Sequence, residues 1–266
     1  MTVIVGVDGS TPSRAALAWA IGRAVDTSEP LTIMHVVDDE WGQLGPDYAH
    51  GESTAGAGLV ADAVRFARER MPDSAISQMT AHGSPAWELA AAARPDDLLV
   101  VGTHKTGHIN GRVLGTRSVV VASVAQSSVA IIPDIAVRGR TGVVVGVADG
   151  DSWHNAVAAA AAEADRSGDS LLLVHAGPAG REAERTLLGA ASAFALAAAP
   201  SIPLHSRFSR RTPAEALLDA SRAAALLVLG GSRRDPDGAG FIGSVTHEVL
   251  LNINVPVLVA RRSAGA

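Results

Sequence analysis

The feature that most constrains this 266-residue chain is an internal repeat. Residues 5–7, Val-Gly-Val, return 140 positions later as 145–147, and the apolar run 31–36 returns as 171–176 with its histidine in the same place. At roughly 100–200 residues per domain, a chain of this length has room for two modest domains. The repeat therefore predicts two copies of one domain fold.

Further along the chain, the two copies lie 128 positions apart, as in the match of residues 98–102 to 226–230. The change in spacing, 140 − 128 = 12, means that the first copy holds twelve additional residues between His35 and Ser84. Segment 38–58 contains several Gly and Asp residues, which are common in loops. We therefore predict an inserted loop over 38–58.

Each copy alternates short β-branched runs with Ala- and Leu-rich segments at helical spacing, a pattern typical of βαβ units around a parallel sheet. We therefore predict an α/β fold with two tandem, open, five-stranded parallel-sheet domains of Rossmann-like type. The domains are predicted over 1–137 and 141–263, with a linker over 134–142. In the first copy, strands are predicted near 3–7, 31–37, 76–82, 98–102 and 129–132, and helices near 12–26, 56–71, 85–93 and 116–126.

Three predicted helices begin with a hydroxyl residue followed by proline. Thr11, Ser84 and Thr212 each precede a proline, which suits the first helical position because no N–H is needed there. Glu215 stands three residues after Thr212, the spacing of a capping box. We therefore expect the three hydroxyl residues to cap these helices.

Composition excludes several classes of function. The absence of cysteine excludes disulfides, thiolate metal sites and thiol nucleophiles. The net charge of −5 and the lack of a long Lys/Arg run disfavour duplex nucleic acid as a partner. Because the first residues run straight into a predicted strand, and no apolar stretch reaches about 18 residues, we expect a soluble, cytoplasmic protein without a membrane partner.

Candidate ligand-binding residues follow three predicted strands. Ligands of open α/β sheets bind beyond the carboxyl ends of the strands, where the strand order reverses. Asp8 follows the first strand and has the chemistry to take ribose hydroxyls or a metal ion on a phosphate. The backbone of Val36 at the end of the second strand is placed to meet a base edge. Segment 102–116 contains several glycines and ends on a helix at Thr116, which offers N–H groups and a positive dipole end to an anion.

Other nucleotide-binding patterns fit less well. The sequence has no G-x-G-x-x-G after the first strand, and residues 102–108 have the outline of a P-loop without its Lys-Ser/Thr ending. These differences disfavour a dinucleotide site and a P-loop.

The residues after the first and fourth strands resemble those of the universal stress protein family in its tandem form, over nearly the whole chain. Members that bind ATP carry Gly, two residues, Gly, nine residues and Gly-Ser/Thr after strand four, and an Asp at the end of strand one. Gly102 and Gly115-Thr116 match in the first copy, where Asp8 stands at the Asp position. Gly230 and Gly243-Ser244 match in the second copy.

The resemblance implies an adenine nucleotide alpha hydrolase-like fold, bound ATP with Mg²⁺, a regulatory role in stress response and no enzymatic activity. It also implies that the two domains pair as a pseudo-dimer through residues 129–132 and 257–260. A homodimer of two chains and a further protein partner of unspecified identity are implied as well. Asp8 is implied as a Mg²⁺ contact through the phosphates. The implied ATP-binding residues are Val7, Asp8, Val36, Gly102, Thr103, Lys105, Gly115, Thr116, Arg117, Ser118, Gly230, Arg233, Gly243, Ser244, Val245 and Thr246.

The sequence departs from the family pattern at the middle glycine, where Lys105 and Arg233 stand, and at Ala148, which aligns with Asp8. Lys105 is the only lysine of the chain, so one interpretation is a flexible ammonium group on the phosphates. The other is a side chain that fills the phosphate cradle. Arg233 equally fits an exposed, charged turn.

Two further functions stay open at this point. One is a protein-interaction module of the same fold without nucleotide, indicated by the replaced middle glycines. The other is a slow ATP hydrolase, for which Asp8 acting through Mg²⁺ is the candidate residue.

The remaining candidates have structural interpretations or weak functional ones. His35 and His175 lie in predicted strands and are interpreted as core imidazoles with backbone partners. A zinc site is disfavoured for His104 and His108, which lie four apart in a glycine-bearing loop. Two aromatic residues of the predicted insert are candidates for a lid over the first crevice or for partner contacts, namely Trp41 and Tyr48.

Overall fold

The structure is a computed structural model of the chain. It describes residues 1–38, 46–72, 75–103, 108–109, 112–113, 116–135, 139–149, 152–177, 181–231 and 242–261. The backbone divides into two compact units. Unit 1 contains Met1–His104 and Ile109–Asp134, and unit 2 contains Ile135–Arg262. The domain bounds given above stay predictions.

Unit 1 holds a five-stranded parallel sheet in the order β3-β2-β1-β4-β7. The chain moves outward from β1 to β3 on one side and then returns to β4 on the other, so the strand order reverses between β1 and β4. Right-handed crossovers place α1 and α2 on one face of the sheet and α3 and α4 on the other. In chain order the elements up to β7 are β1 (Val3–Gly6), α1 (Thr11–Thr27), β2 (Leu31–Asp38), α2 (Pro46–Arg68), β3 (Ile76–Gly83), α3 (Pro85–Ala92), β4 (Leu98–Thr103), β5 (His108–Ile109), β6 (Arg112–Val113), α4 (Thr116–Val124) and β7 (Ser128–Pro133).

Unit 2 repeats this arrangement with the strand order β10-β9-β8-β11-β12. The prediction of a five-stranded parallel sheet in each copy is therefore confirmed. The elements are β8 (Val143–Gly146), α5 (His154–Ser167), β9 (Leu171–Ala176), α6 (Arg181–Ala198), β10 (Leu204–Ser209), α7 (Pro213–Ala220), β11 (Leu226–Gly230), α8 (Ser244–Leu251) and β12 (Val257–Ala260).

The core of each unit consists of the central strands and the small residues of the helices above them. Val3, Val5 and Val100 in unit 1 are fully buried, as expected for strands covered on both faces. Alanines such as Ala20 and Ala160 let α1 and α5 lie close to the sheet, and both are fully buried. Among the described residues, no helix combines the length and the apolar composition needed to cross a membrane.

The helix starts confirm the capping expectation in part. Thr212 caps α7, and its reciprocal bonds with Glu215 form the predicted capping box. Ser84 occupies the cap of α3 without a side-chain bond to the helix. The prediction for Thr11 was wrong, because α1 starts at Thr11 and Ser10 caps it by accepting a hydrogen bond from the backbone N–H of Ser13.

The prediction of a loop throughout 38–58 was wrong, since α2 starts at Pro46. Close packing explains why glycine is present within this helix. A Cβ on Gly56 would lie 2.7 Å from Cδ2 of the His35 ring, so glycine lets α2 approach the end of β2.

The two-stranded sheet of β5 and β6 was not predicted either. Asn110-Gly111 separates its strands in the sequence, and this dipeptide between extended segments is a strong signal for a short hairpin.

Candidate functional site

The end of β2 extends past the end of β1 in unit 1. The backbone N–H of Val7 donates to the carbonyl of Met34 over 2.8 Å, and the chain then turns at Gly9, whose φ is +78°. Alternate residues of a parallel strand direct their backbone groups to the same neighbour. Val36 therefore directs its N–H and C=O toward the side that β1 has left.

A histidine ring fixes the end of the first strand in both units. Nδ1 of His35 donates to the carbonyl of Val7 over 2.8 Å, and Nδ1 of His175 donates to Val147 over the same distance. His175 is buried and His35 is half-buried. The interpretation of both residues as imidazoles with backbone partners is confirmed.

Asp8 lies exposed in the turn that leads from β1 to α1. Its Oδ1 accepts a hydrogen bond from the N–H of Ser10 at 2.9 Å, and its own N–H donates to Oγ of Ser13 at 3.3 Å. These bonds fix the position of the carboxylate at the carboxyl edge of the sheet. The residue therefore shapes the turn and also presents a negative charge to this edge.

Gly102 at the end of β4 is required by packing. A Cβ there would overlap the carbonyl group of Pro12 and would lie 2.7 Å from the backbone nitrogen of Ser13. The matching Gly230 is different, because its added Cβ would meet its nearest atom, the carbonyl oxygen of Ser152, at an ordinary 3.5 Å. The absence of a side chain at Gly102 thus has a structural cause before any ligand is considered.

Buried hydroxyl groups connect α4 to β4 in unit 1 and α8 to β11 in unit 2. Oγ of Ser118 donates to Oγ1 of Thr103 at 3.0 Å, and both side chains are buried. In unit 2, Oγ1 of Thr246 donates to the carbonyl of Gly230 at 3.4 Å. These bonds set the position at which α4 and α8 begin relative to β4 and β11.

An ion pair crosses the end of β1 in unit 1. Nη2 of Arg117, in the first turn of α4, lies 2.8 Å from Oδ2 of Asp38 at the end of β2. Because β2 and β4 flank β1 on opposite sides and α4 packs on β4, this pair lies at the point where the strand order reverses. The Arg117 side chain is 68% exposed and that of Asp38 is 18% exposed, so water screens the pair from the arginine side and its contribution to stability is small, about 1 kcal/mol.

Unit 2 has different residues at the matching positions. Val245 stands where unit 1 has Arg117, and Ala148 stands where it has Asp8. Gly243 forms the N-cap of α8 without a side-chain bond, and Ser244 follows it on the surface. The carboxyl edge of unit 2 therefore keeps the helix start but not these two charges at the matching positions. Its carboxylate comes one residue later, at Asp149, where Oδ1 lies 3.8 Å from Nε2 of His175.

Several predicted residues lie outside the part of the chain that the structure describes. They are Trp41, His104, Lys105, Gly115 and Arg233. Tyr48, His108 and Thr116 are placed by their backbone alone. Among the described residues, no group of three or more His, Cys, Asp or Glu side chains is placed to hold a metal ion.

Sequence reasoning missed Asp38 as a member of this site. Its position directly after the apolar run 31–37 was the available signal, because it places the carboxylate at the same sheet edge as Asp8.

Comparison with known proteins identifies the family. The model of the universal stress protein family matches residues 1–133 and 140–261. The universal stress protein Rv2005c of Mycobacterium tuberculosis is 28% identical over 290 residues, which cover 98% of this chain and 97% of that protein. A crystal structure of a universal stress protein from Archaeoglobus fulgidus superposes with a TM-score of 0.73 at 18% identity, covering 98% of each chain.

A universal stress protein solved in complex with cAMP is 28% identical and covers 46% of this chain and 98% of its own, with a TM-score of 0.39. The family match extends over both copies of the internal repeat and over nearly the whole chain. The chain therefore belongs to the universal stress protein family and carries two of its domains in tandem.

Proposed function

We propose that unit 1 binds an adenine nucleotide, ATP together with Mg²⁺, and that the protein acts as a regulatory binding protein in stress response. One observation carries this proposal. Val36 near the end of β2 and Asp8 just after β1 lie at the carboxyl edge beside the point where the strand order reverses, and the guanidinium of Arg117 reaches Asp38 at the same edge. This is the place where open α/β sheets bind ligands.

The three groups suit the three parts of a nucleotide. The backbone N–H and C=O of Val36 pair with the base, and the Asp8 carboxylate accepts hydrogen bonds from ribose hydroxyls. Arg117 and the start of α4 attract phosphate oxygens, since a helix N-terminus and a guanidinium both favour anions. Mg²⁺ bound to the phosphates supplies positive charge that offsets the triphosphate beside Asp8.

Arg117 exchanges partners in this proposal. Without nucleotide it pairs with Asp38 at 2.8 Å, and with nucleotide it turns toward the phosphates. The exchange costs little on the arginine side, because the Arg117 side chain is 68% exposed, whereas the Asp38 side chain is only 18% exposed.

Unit 2 is proposed to bind nucleotide more weakly than unit 1. Val245 and Ala148 stand in place of the two charged residues, and among the described residues of unit 2 the start of α8 and the hydroxyl of Ser244 are what attracts an anion at this edge. We therefore propose one tightly bound nucleotide per chain.

A protein-interaction module without nucleotide is the second candidate function. It is favoured by the mutual pairing of Arg117 with Asp38 and of Ser118 with Thr103, and by the packing role of Gly102. Pairing of the two halves, pairing of two chains and a further protein partner stay predictions from the family resemblance.

The first test is to purify the protein without added nucleotide, denature it, and identify and count the released nucleotides. We expect close to one ATP per chain. Two ATP per chain would overturn the assignment to unit 1 alone. A protein that emerges without nucleotide and takes up none in a MgATP titration would overturn the binding proposal and leave the interaction module.

A MgATP titration of variants tests the residues. Asp8→Asn and Arg117→Gln are each expected to weaken binding at least about tenfold, the effect of losing a charge-assisted contact. Arg222→Gln is the matched control, because Arg222 is also an exposed arginine in a surface ion pair but lies in unit 2. Assaying phosphate release for the same proteins tests the slow hydrolase, which requires turnover that Asp8→Ala abolishes while binding remains.

A further inference from the structure

Unit 1 contains a pocket between α1 and α2 that the nucleotide proposal does not use. Its volume is about 560 Å³, within the usual range of small-molecule sites. Leu17 of α1 and Leu59, Ala63 and Phe66 of α2 supply most of its apolar wall. Ser13 also lines it, together with the charged residues Arg14 and Asp62. Of the residues assigned to the nucleotide, only Val7 lines this pocket.

The sequences of the two helices that form the pocket align with those of α5 and α6 in unit 2. An offset of 140 aligns α1 with α5, including the left-handed residues that end the two helices, and an offset of 128 aligns α2 with α6. Most buried positions coincide in this alignment, which supports the register. The coinciding buried pairs include Ala16 and Ala156, Ala20 and Ala160, Ala24 and Ala164, Val60 and Leu188, Ala63 and Ala191, and Ala67 and Ala195.

In this register, Trp153 of unit 2 stands where unit 1 has Ser13, and Phe194 stands where unit 1 has Phe66. The indole of Trp153 is buried and meets the Phe194 ring edge to face at 5.5 Å and 87°. His154 stacks on the indole at 3.8 Å. Unit 2 thus fills with its own aromatic rings the space that unit 1 leaves open beside Ser13.

We propose that the pocket of unit 1 is a binding site for a small molecule that carries an uncharged, planar, bicyclic aromatic ring of indole size. The pocket keeps part of the surroundings of Trp153, with Leu17 at the position of Val157 and Phe66 at the position of Phe194, while Arg14 stands where unit 2 has the stacked His154. Such a wall takes an aromatic ring by apolar burial and by an edge-to-face contact with Phe66. The pocket borders the nucleotide crevice at Val7 and at Ser13, which accepts a hydrogen bond from the N–H of Asp8. The other lining residues lie outside the crevice, so we expect both ligands to bind together.

Indole itself is the probe, and its binding to the full chain is measured by calorimetry and by saturation-transfer NMR. We expect one indole per chain, with the same affinity in the presence of MgATP. Competition between the two ligands would overturn the separate site. Failure of folded protein to bind millimolar indole would overturn the pocket proposal and would leave the nucleotide proposal untouched.

Two substitutions fill the pocket from opposite sides. Ser13→Trp copies the residue of unit 2. Gly58→Leu adds a side chain from α2, where an added Cβ meets no atom within 4 Å and where leucine is a better helix former than glycine. Each is expected to weaken indole binding at least tenfold, and unchanged affinity in both would place the indole elsewhere and overturn the proposal.

Gly22→Leu is the matched control for the helix effect. Gly22 lies in α1, an added Cβ there also meets nothing within 4 Å, and the residue does not line the pocket. This variant is expected to bind indole as the wild type does. Loss of binding in Gly22→Leu as well as in Gly58→Leu would attribute the loss to the helices and overturn the assignment to the pocket.

The reciprocal substitution opens unit 2. Trp153→Ser is expected to raise the stoichiometry from one indole to two. A folded Trp153→Ser protein that still binds one indole would overturn the equivalence of the two spaces. If this variant fails to fold, the comparison of Gly58→Leu with Gly22→Leu decides the proposal by itself.

Discussion

Units 1 and 2 share a scaffold and differ in what their surfaces offer to a ligand. Both have the same strand order, the same buried alanines on the first helix and a histidine that donates to the end of the first strand. Unit 1 adds Asp8 and Arg117 at the carboxyl edge and leaves the groove between its first two helices open. Unit 2 replaces both charges and fills the groove with Trp153.

The fold and the candidate binding sites therefore depend on separate sets of residues. The repeated core positions bury apolar surface in both units and therefore specify the scaffold. The residues that differ lie at strand ends and on helix surfaces, where substitution leaves the sheet intact and changes what it binds.

The largest effect is expected from the residue that fills unit 2. Trp153→Ala removes a buried indole that packs on Phe194 and His154, and we expect a loss of about 3–5 kcal/mol in the free energy of unfolding. Urea denaturation gives the total change, and hydrogen exchange shows in which unit protection is lost. Trp87→Ala is the control, because Trp87 is 59% exposed and its removal leaves the core unchanged.

A loss below about 1 kcal/mol for Trp153→Ala would contradict this prediction, since full burial of an aromatic side chain contributes more than that. It would also weaken the view that the groove of unit 2 is a filled version of the pocket in unit 1.

The two strand-end glycines give the next largest contrast. Gly102→Ala places a Cβ against the backbone of Pro12 and Ser13, and overpacking of this kind is expected to cost about 3 kcal/mol. Gly230→Ala meets its nearest neighbour at 3.5 Å, so we expect a change below about 1 kcal/mol. Denaturation of the two variants side by side measures the difference, and equal effects would show that the units pack alike at this position.

Adding the missing charges to unit 2 would sharpen the comparison at the carboxyl edge. The double variant Ala148→Asp, Val245→Arg gives unit 2 the charged residues of unit 1 at matching positions. We expect the number of ATP molecules bound per chain to rise from one to two, with at least about a tenfold gain in affinity at unit 2. Stoichiometry that stays at one in the folded variant would show that these two charges are insufficient for a site.

Most of the fold could be predicted from the sequence, because the repeat shows the pattern of each helix and strand twice. Strands such as Leu31–Asp38 and Leu98–Thr103 agree with the predicted segments to within a residue or two at each end. The start of α2 at Pro46 was missed because Gly51 and Gly56 argue against a helix by propensity. Close contact with His35 explains the second of these glycines, and such a contact is visible only in three dimensions.

The candidate site was predictable only where one strand end determines a residue's place. Asp8, Val36 and Gly102 follow directly from strand boundaries and parallel topology. The pairing of Arg117 with Asp38 joins residues 79 positions apart, and the pocket depends on the spacing of two helices. No local pattern encodes these distances. The substitution of Ser13 for Trp153 was present in the repeat, but its meaning required the helix register.

The smallest effect is expected from opening the ion pair across β1. Asp38→Asn removes the partner of Arg117, and because the arginine is largely exposed, stability is expected to change by less than about 1 kcal/mol. The affinity of unit 1 for MgATP is expected to rise a few-fold, since Arg117 no longer has to leave a carboxylate to meet the phosphates. Calorimetry at low and high salt separates this local exchange from general screening, which weakens charge contacts in both proteins. Weaker binding in Asp38→Asn would instead assign Asp38 a direct contact with the nucleotide, and would make the negative charge at the end of β2 part of what distinguishes unit 1 from unit 2.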